Sequence, residues 1–244
     1  MANSDKKQIK KIVVFASGTK DGGGSGFENL VAASRDGRLS GEITAVVSNH
    51  ENGGVRQRAD RLSVPFIYFP AKKPVNDKTA GQEFGPEFGT AENYRKIVGD
   101  ADLVCLSGWL KLVTGLDPRK TINIHPGPLP RFGGAGMYGH HVHEAVVEAY
   151  RNDSDNFPQV GPMGKEKVTH SAVSMHFVTE KFDEGPLFFS QPVEIMPDDT
   201  ADTLAARVLE TEHKWQPIIT DKVLRGEISW DGQNPETLRG GIIK

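Results

Sequence analysis

Asn123 and His125 lie two residues apart in the segment Thr121-Ile-Asn-Ile-His-Pro-Gly-Pro-Leu-Pro130. Read as a strand, that spacing projects both side chains from one face. Pro126 keeps His125 out of helical geometry, so the strand runs out extended at its carboxyl end. Three prolines within five residues stiffen the exit. An imidazole and a carboxamide pointing together into a crevice can both donate to one developing oxyanion. The bland alternative is a buried histidine and asparagine that satisfy nearby backbone groups.

Other segments carry reactive groups too. Asp183, in the acidic turn Glu180-Lys-Phe-Asp-Glu-Gly-Pro186, could hold a histidine and raise its pKa; the alternative is a hairpin whose charges are merely solvated. Glycine-rich Ser17–Leu30 falls between a buried strand and a helix, where backbone N–H groups make an anion site suited to phosphate on a small ligand. Its alternative is a turn that binds nothing. The segment has neither the glycine spacing of a dinucleotide fingerprint nor the Gly-Lys-Ser/Thr of a Walker loop. His140 and His143 form an i, i+3 pair on a helix. A zinc site needs three or four convergent ligands, and without His-Glu-x-x-His or a spare cysteine a helix flanking the cleft is the better reading. Glu212 and His213 read as surface residues of a helix whose Leu209, Trp215 and Ile218 are expected in the core.

The elements that must position these groups follow from hydrophobic patterning. Lys11–Ala16, Glu42–Ser48, Val64–Tyr68, Ala101–Leu106 and Thr121–His125 read as strands. Helices near Phe27–Arg35, Gly54–Leu62 and Glu92–Val98 alternate with them, Arg56 and Arg58 pointing outward. That alternation describes βαβ units and a parallel sheet, which binds ligands beyond the carboxyl ends of its strands. The second half changes character. A helix near Gly139–Tyr150 precedes a polar stretch, Arg151–Lys167. Ala172–Thr179 and Pro186–Val193 look like antiparallel strands, and Ala201–Leu224 like a long helix. The expectation is a single α/β domain over residues 1–244, with a polar tail at 1–10 and an antiparallel C-terminal extension.

Composition sets the outer limits. Lys and Arg number 29 against 32 Asp and Glu, a net charge of 29 − 32 = −3 that disfavours nucleic acid as a partner. A chain of 244 residues can bury an adequate core without staples, and its one cysteine, Cys105, permits a reducing compartment. No apolar run is long enough for a membrane span and the first residues lack a signal-peptide core, so a cytoplasmic location is expected. Twenty-seven glycines, against a usual share of ~7%, cluster at Gly22–Gly26 and Gly133–Gly139. Both are places where backbone has to approach something closely.

Together these segments resemble the formyltransferase family that uses 10-formyltetrahydrofolate, most closely its branch acting on phosphoribosylglycinamide. The matching residues are Asn123-Ile-His125 with Pro-x-x-Leu-Pro130, His176-Phe-Val-Thr179 with Asp183-x-Gly-Pro186, and Arg207-Val with Glu212-His213. Ser107-Gly-Trp-Leu-Lys-Leu-Val113 and the pair Ser17-Gly with Gly24-Ser25 match as well, so the likeness runs from Lys11 to about Glu227. The resemblance implies a Rossmann-like open, mostly parallel sheet with helices on both faces. It implies Asn123, His125 and Asp183 as the catalytic set, with protonated His125 and the Asn123 amide stabilising an oxyanion. Gly24, Ser25, Gly26, Phe27 and Glu28 would hold the acceptor's phosphate, and Glu212 its ribose or glycine end. The folate would sit against Leu110, Lys111, Leu112 and Val113 and the backbone of Glu180–Asp183. 10-Formyltetrahydrofolate is then the co-substrate; no metal, membrane or nucleic acid takes part, and a homodimer is left open.

Three departures from the family pattern stand out. Thr19–Gly23 lengthens the phosphate loop, and Gly26 stands where relatives carry asparagine. No arginine is found for the folate tail, leaving Lys72, Lys73 or Lys78 as substitutes. Arg151–Lys167 looks like an insertion. Rival readings are a 10-formyltetrahydrofolate hydrolase, disfavoured by the short N-terminal segment, and a methionyl-tRNA formyltransferase, disfavoured by the chain's length. A sugar-amine formyltransferase shares the core residues. A non-catalytic phosphosugar-binding protein is the reading from outside the class.

Overall fold

The computed structural model describes residues 9–20, 22–73, 85–156 and 167–243. β1 (Lys10–Phe15), β2 (Gly41–Ser48), β3 (Phe66–Tyr68), β4 (Leu103–Ser107) and β5 (Thr121–His125) pair in parallel in the order β3-β2-β1-β4-β5. β6 (His170–Phe177) runs antiparallel to β5, and β7 (Leu187–Glu194) antiparallel to β6. A two-residue β8 (Ile242–Ile243), not foreseen from sequence, closes the sheet parallel to β7. The strand order reverses between β1 and β4, the switch point where the loops leaving two strands part and open a crevice.

Alternation along β1 shows why the sheet is covered on both sides. Ile12 and Val14 join a core with helices α1 (Ser25–Asp36), α2 (Gly54–Leu62), α4 (His140–Asn156) and α5 (Ala201–Leu224). Val13 and Phe15 face the other way, onto α3 (Ala91–Val98), where Tyr94 packs with Phe69 and Trp109. Cys105 is buried in β4, and burial pushes its thiol far up, leaving it inert.

Local chemistry fixes the helix ends. Thr90 caps α3 by accepting the Asn93 N–H, and Thr200 with Thr203 forms a reciprocal capping pair at the start of α5. Buried Asp199, just before that cap, takes the guanidinium of Arg207 at 2.7 and 2.9 Å, and its carboxyl is held far below the usual range.

Several boundaries move from the sequence reading. α4 continues to Asn156, so the first residues of the polar stretch 151–167 are helical; positions 157–166 and Lys78 lie outside the described residues. Leu209 and Ile218 are not core residues but 40% and 38% exposed. The stripe of α5 that meets the sheet runs through Leu204, Val208, Ile219 and Val223, and one step along a helix turns a side chain by about 100° away from it.

Candidate active site

β5 carries Asn123 and His125 to its carboxyl end from one face, and the antiparallel register sets His176 of β6 opposite Asn123. The turn after β6 brings Asp183 onto the same group. Asp183 takes φ 55, a left-handed conformation that aspartate tolerates better than most residues. Its Oδ1 lies 3.3 Å from both Asn123 Nδ2 and His176 Nε2. Its Oδ2 accepts the Gly134 N–H at 2.9 Å and faces His125 Nδ1 at 3.7 Å.

Partners decide the tautomers. His125 Nε2 sits 2.7 Å from the Phe132 carbonyl oxygen and must donate to it, so Nδ1 is left with its lone pair toward Asp183. His176 Nδ1 donates to the Phe177 carbonyl at 2.8 Å, and its Nε2 sits between Asn123 Nδ2 at 3.1 Å and Asp183 Oδ1 at 3.3 Å. Asn123 Nδ2 donates to Asp183 Oδ1 at 3.3 Å.

Burial and charge compete at His125. Burial pushes its imidazole below the ordinary value, and His176 adds to this; the pull of Asp183 and the Phe132 carbonyl in the other direction does not compensate. A side chain only 3% exposed loses more from desolvation than a carboxylate beyond hydrogen-bond reach returns. The net direction favours the neutral imidazole in the free protein. Burial would also raise the Asp183 carboxyl, but His176, His125 and the Gly134 N–H together hold it below the carboxylate range.

The four residues open into a cleft of about 540 Å³. At one end of it lies the N-terminus of α1. Gly24 takes φ 81 there and no side chain caps the helix, so first-turn N–H groups are available to an anion. Gly24, Ser25 and Gly26 line the cleft. Phe27 instead buries its ring in the core, and Glu28 pairs with Arg58 and Arg61. Arg58 thus folds back from α2 rather than pointing outward, and its Nε also holds the Gly23 carbonyl at 2.9 Å. Gly26 has a steric explanation: a Cβ there would lie 2.2 Å from Ser107 Oγ and 3.1 Å from Gln216 Oε1. The lengthened loop is tied down, Thr19 N–H to the Gly22 carbonyl at 2.8 Å and Gly54 N–H to the Thr19 carbonyl at 3.2 Å.

Glu212 and His213 are not simple surface residues. With Ala205, Leu209 and Gln216 they form the α5 wall of the cleft. Burial pushes the Glu212 carboxyl up to about 7. It also lowers His213, an effect that Glu28 opposes and Arg58 reinforces. The opposite rim is apolar. Leu110, Leu112 and Phe182 are exposed there beside buried Val113. Lys111 and Lys181 are the lysines on this rim, whereas Lys72 and Lys73 are not among the lining residues. Glu180 also stands outside the lining, bonded to Thr114 Oγ1 at 3.0 Å. His140 pairs with Asp202 at 3.0 Å and Glu144 at 3.2 Å; no group of three or more His, Cys, Asp or Glu gathers for a metal among the described residues.

Gln216 lines the cleft although the sequence reading did not single it out, while His143, weighed only as half of a metal pair, and His176, quoted only in the family match, were given no site role. Only the β5–β6 register puts His176 beside Asn123, and a sequence does not print register.

An imidazole, an amide and a carboxylate thus gather in one cleft at the carboxyl end of β5, in an open α/β sheet, and the formyl transferase family matches residues 10–220. The chain belongs to that family. It is 31% identical to the chloroplastic phosphoribosylglycinamide formyltransferase of Arabidopsis thaliana over 96% of its own length and 75% of that protein. It is 34% identical to the corresponding protein of Vigna unguiculata over 91% of its length, spanning 63% of that relative. The solved structure of glycinamide ribonucleotide transformylase 1 from Symbiobacterium toebii superposes with a TM-score of 0.69, covering 97% of this chain and 95% of that one at 26% identity.

Proposed function

We propose that the chain transfers the formyl group of 10-formyltetrahydrofolate to the primary amine of 5'-phosphoribosylglycinamide, a step of de novo purine biosynthesis. The observation that carries this reading is the single cleft that joins Asn123, His125 and Asp183 to the uncapped end of α1. The α1 N–H groups of Ser25 and Gly26 suit the acceptor's phosphate. Glu212, a half-buried carboxyl whose pKa is pushed up to about 7, suits its hydroxyl or amide groups. Leu110, Leu112, Val113 and Phe182 offer apolar surface to the pterin.

The folate supplies an activated formyl carbon. His125 enters neutral, its Nε2 proton fixed on Phe132, so Nδ1 can take a proton from the attacking amine. Asp183 then faces the new imidazolium and stabilises it. Asn123 hands one N–H from His176 or Asp183 to the formyl oxygen as negative charge builds there, joined by His125 once it is charged. The same imidazolium returns its proton to the departing folate nitrogen. We place this chemistry between small molecules in the cytoplasm, on the likeness to the Bacillus subtilis phosphoribosylglycinamide formyltransferase, to which the chain is 29% identical.

A formyl-transfer assay with phosphoribosylglycinamide, with a panel of amino sugars and without acceptor tests the reading. Turnover dependent on phosphoribosylglycinamide is expected. Turnover without acceptor would make the chain a hydrolase, and turnover confined to an amino sugar would replace the acceptor.

A further inference from the structure

One histidine on the cleft wall has no part in the scheme above. His143 lies in the first turn of α4, is 5% exposed and lines the cleft. The preceding residue, Val142, packs against the exit of β5: a Cβ on Gly127 would lie 2.5 Å from Val142 Cγ1 and 3.2 Å from His125 Nε2. The start of α4 is thereby seated beside His125. His143 Nδ1 is enclosed and has no hydrogen-bond partner among the described residues.

That enclosure selects a tautomer. Burial, with His140 and His125 adding repulsion, pushes the ring down to about 4, so it carries one proton at neutral pH. Orphaned buried N–H groups are rare in folded proteins, whereas Nε2 faces a cleft where water or a ligand can accept. The proton therefore belongs on Nε2, and the ring meets the cleft as a neutral donor.

We propose that His143 is a substrate-positioning residue whose Nε2–H donates to the amide carbonyl oxygen of the acceptor. This rests on the acceptor reading given above. An amine attacking beside His125 carries that carbonyl one carbon away, within reach of the wall that adjoins β5. A neutral donor orients the carbonyl without bringing an acidic proton to the amine, whose lone pair must stay free.

Replacing His143 by Gln keeps an N–H near the position of Nε2, by Asn near that of Nδ1, and by Leu at neither. Leu and Asn should raise KM for phosphoribosylglycinamide by about tenfold or more and leave KM for 10-formyltetrahydrofolate within about twofold, while Gln restores the acceptor KM to within about threefold of wild type. An unchanged acceptor KM in His143→Leu, or a Gln variant no better than Leu, would overturn the proposal. Nitrogen-15 NMR of the histidine-labelled wild-type protein provides a check that needs no variant to fold. Protonation at Nε2 is expected for His143, and protonation at Nδ1 would refute the assignment. Should wild type fail to use phosphoribosylglycinamide at all, the function reading itself falls and this proposal with it, an outcome distinct from wild-type turnover indifferent to residue 143.

Discussion

Asp183 faces His125 across 3.7 Å while fixing its Oδ2 on the Gly134 N–H at 2.9 Å, so the carboxylate is anchored by the loop and not by the imidazole it serves. The pair is primed for a proton that has yet to arrive. In the proposed mechanism His125 starts neutral, and the charge that Asp183 stabilises appears only when the amine gives up its proton.

Replacing Asp183 by Asn should therefore lower kcat by about 100-fold or more while acceptor affinity changes by no more than a few-fold. Asp183 pulls the His125 pKa upward against burial. Without that pull, the acid limb of kcat/KM should move to lower pH. Steady-state rates across pH, with calorimetric titration of acceptor, would show both; equal rates in variant and wild type would remove Asp183 from the catalytic set.

Asn123→Ala removes one donor to the developing oxyanion. A loss of about 100-fold in kcat is expected, with KM for both substrates nearly kept. A variant that loses affinity and keeps its rate would recast Asn123 as a binding residue.

Gly26→Ala would set a methyl 2.2 Å from Ser107 Oγ, and the neighbours are the packed end of β4 and Gln216 of α5. A stability loss of about 1–3 kcal/mol is expected in denaturant titration. Acceptor affinity should weaken as well, because the shift falls on the first turn of α1. A variant with wild-type midpoint and acceptor Kd would mean the loop yields freely.

Glu212 carries a signed pH dependence. Its value in the fold, about 7, lies above the ordinary 4.5, so the fold favours the protonated form. That contribution is complete below the unfolded value and is lost as pH rises through about 7. Glu212→Gln cannot ionise, so it should gain stability over wild type between pH 5 and pH 8, on the order of 1–2 kcal/mol. Thermal midpoints at the two pH values check this, and parallel curves would show that the carboxylate is solvated in the fold.

Legibility in the sequence followed chain locality. β1 to β5 and their helices were readable because each is a short periodic segment closed by its own turn residues. Asn123 and His125 were readable as a pair because one strand carries both. His176 joins them only through strand register, and Glu212 with His213 reaches the cleft only because α5 turns that face toward α1. Leu209 and Ile218 were misplaced for the same reason: an apolar residue on a helix does not say which partner its face meets. The depth of burial at His125 was not legible, because spacing reveals the nearby carboxylate and hides the packing around the ring. Gly26 departs from the asparagine of relatives, and only the structure shows that Ser107 and Gln216 occupy the space a side chain there would need.

The most direct measurement is single-turnover formyl transfer by rapid quench, using 10-formyltetrahydrofolate and phosphoribosylglycinamide with wild type and His125→Ala. Wild type should place the formyl group on the glycinamide nitrogen, and the variant should still bind both substrates yet transfer about 1,000-fold more slowly or worse. Undiminished transfer by His125→Ala would contradict the assignment of this cleft as the place where the chemistry occurs.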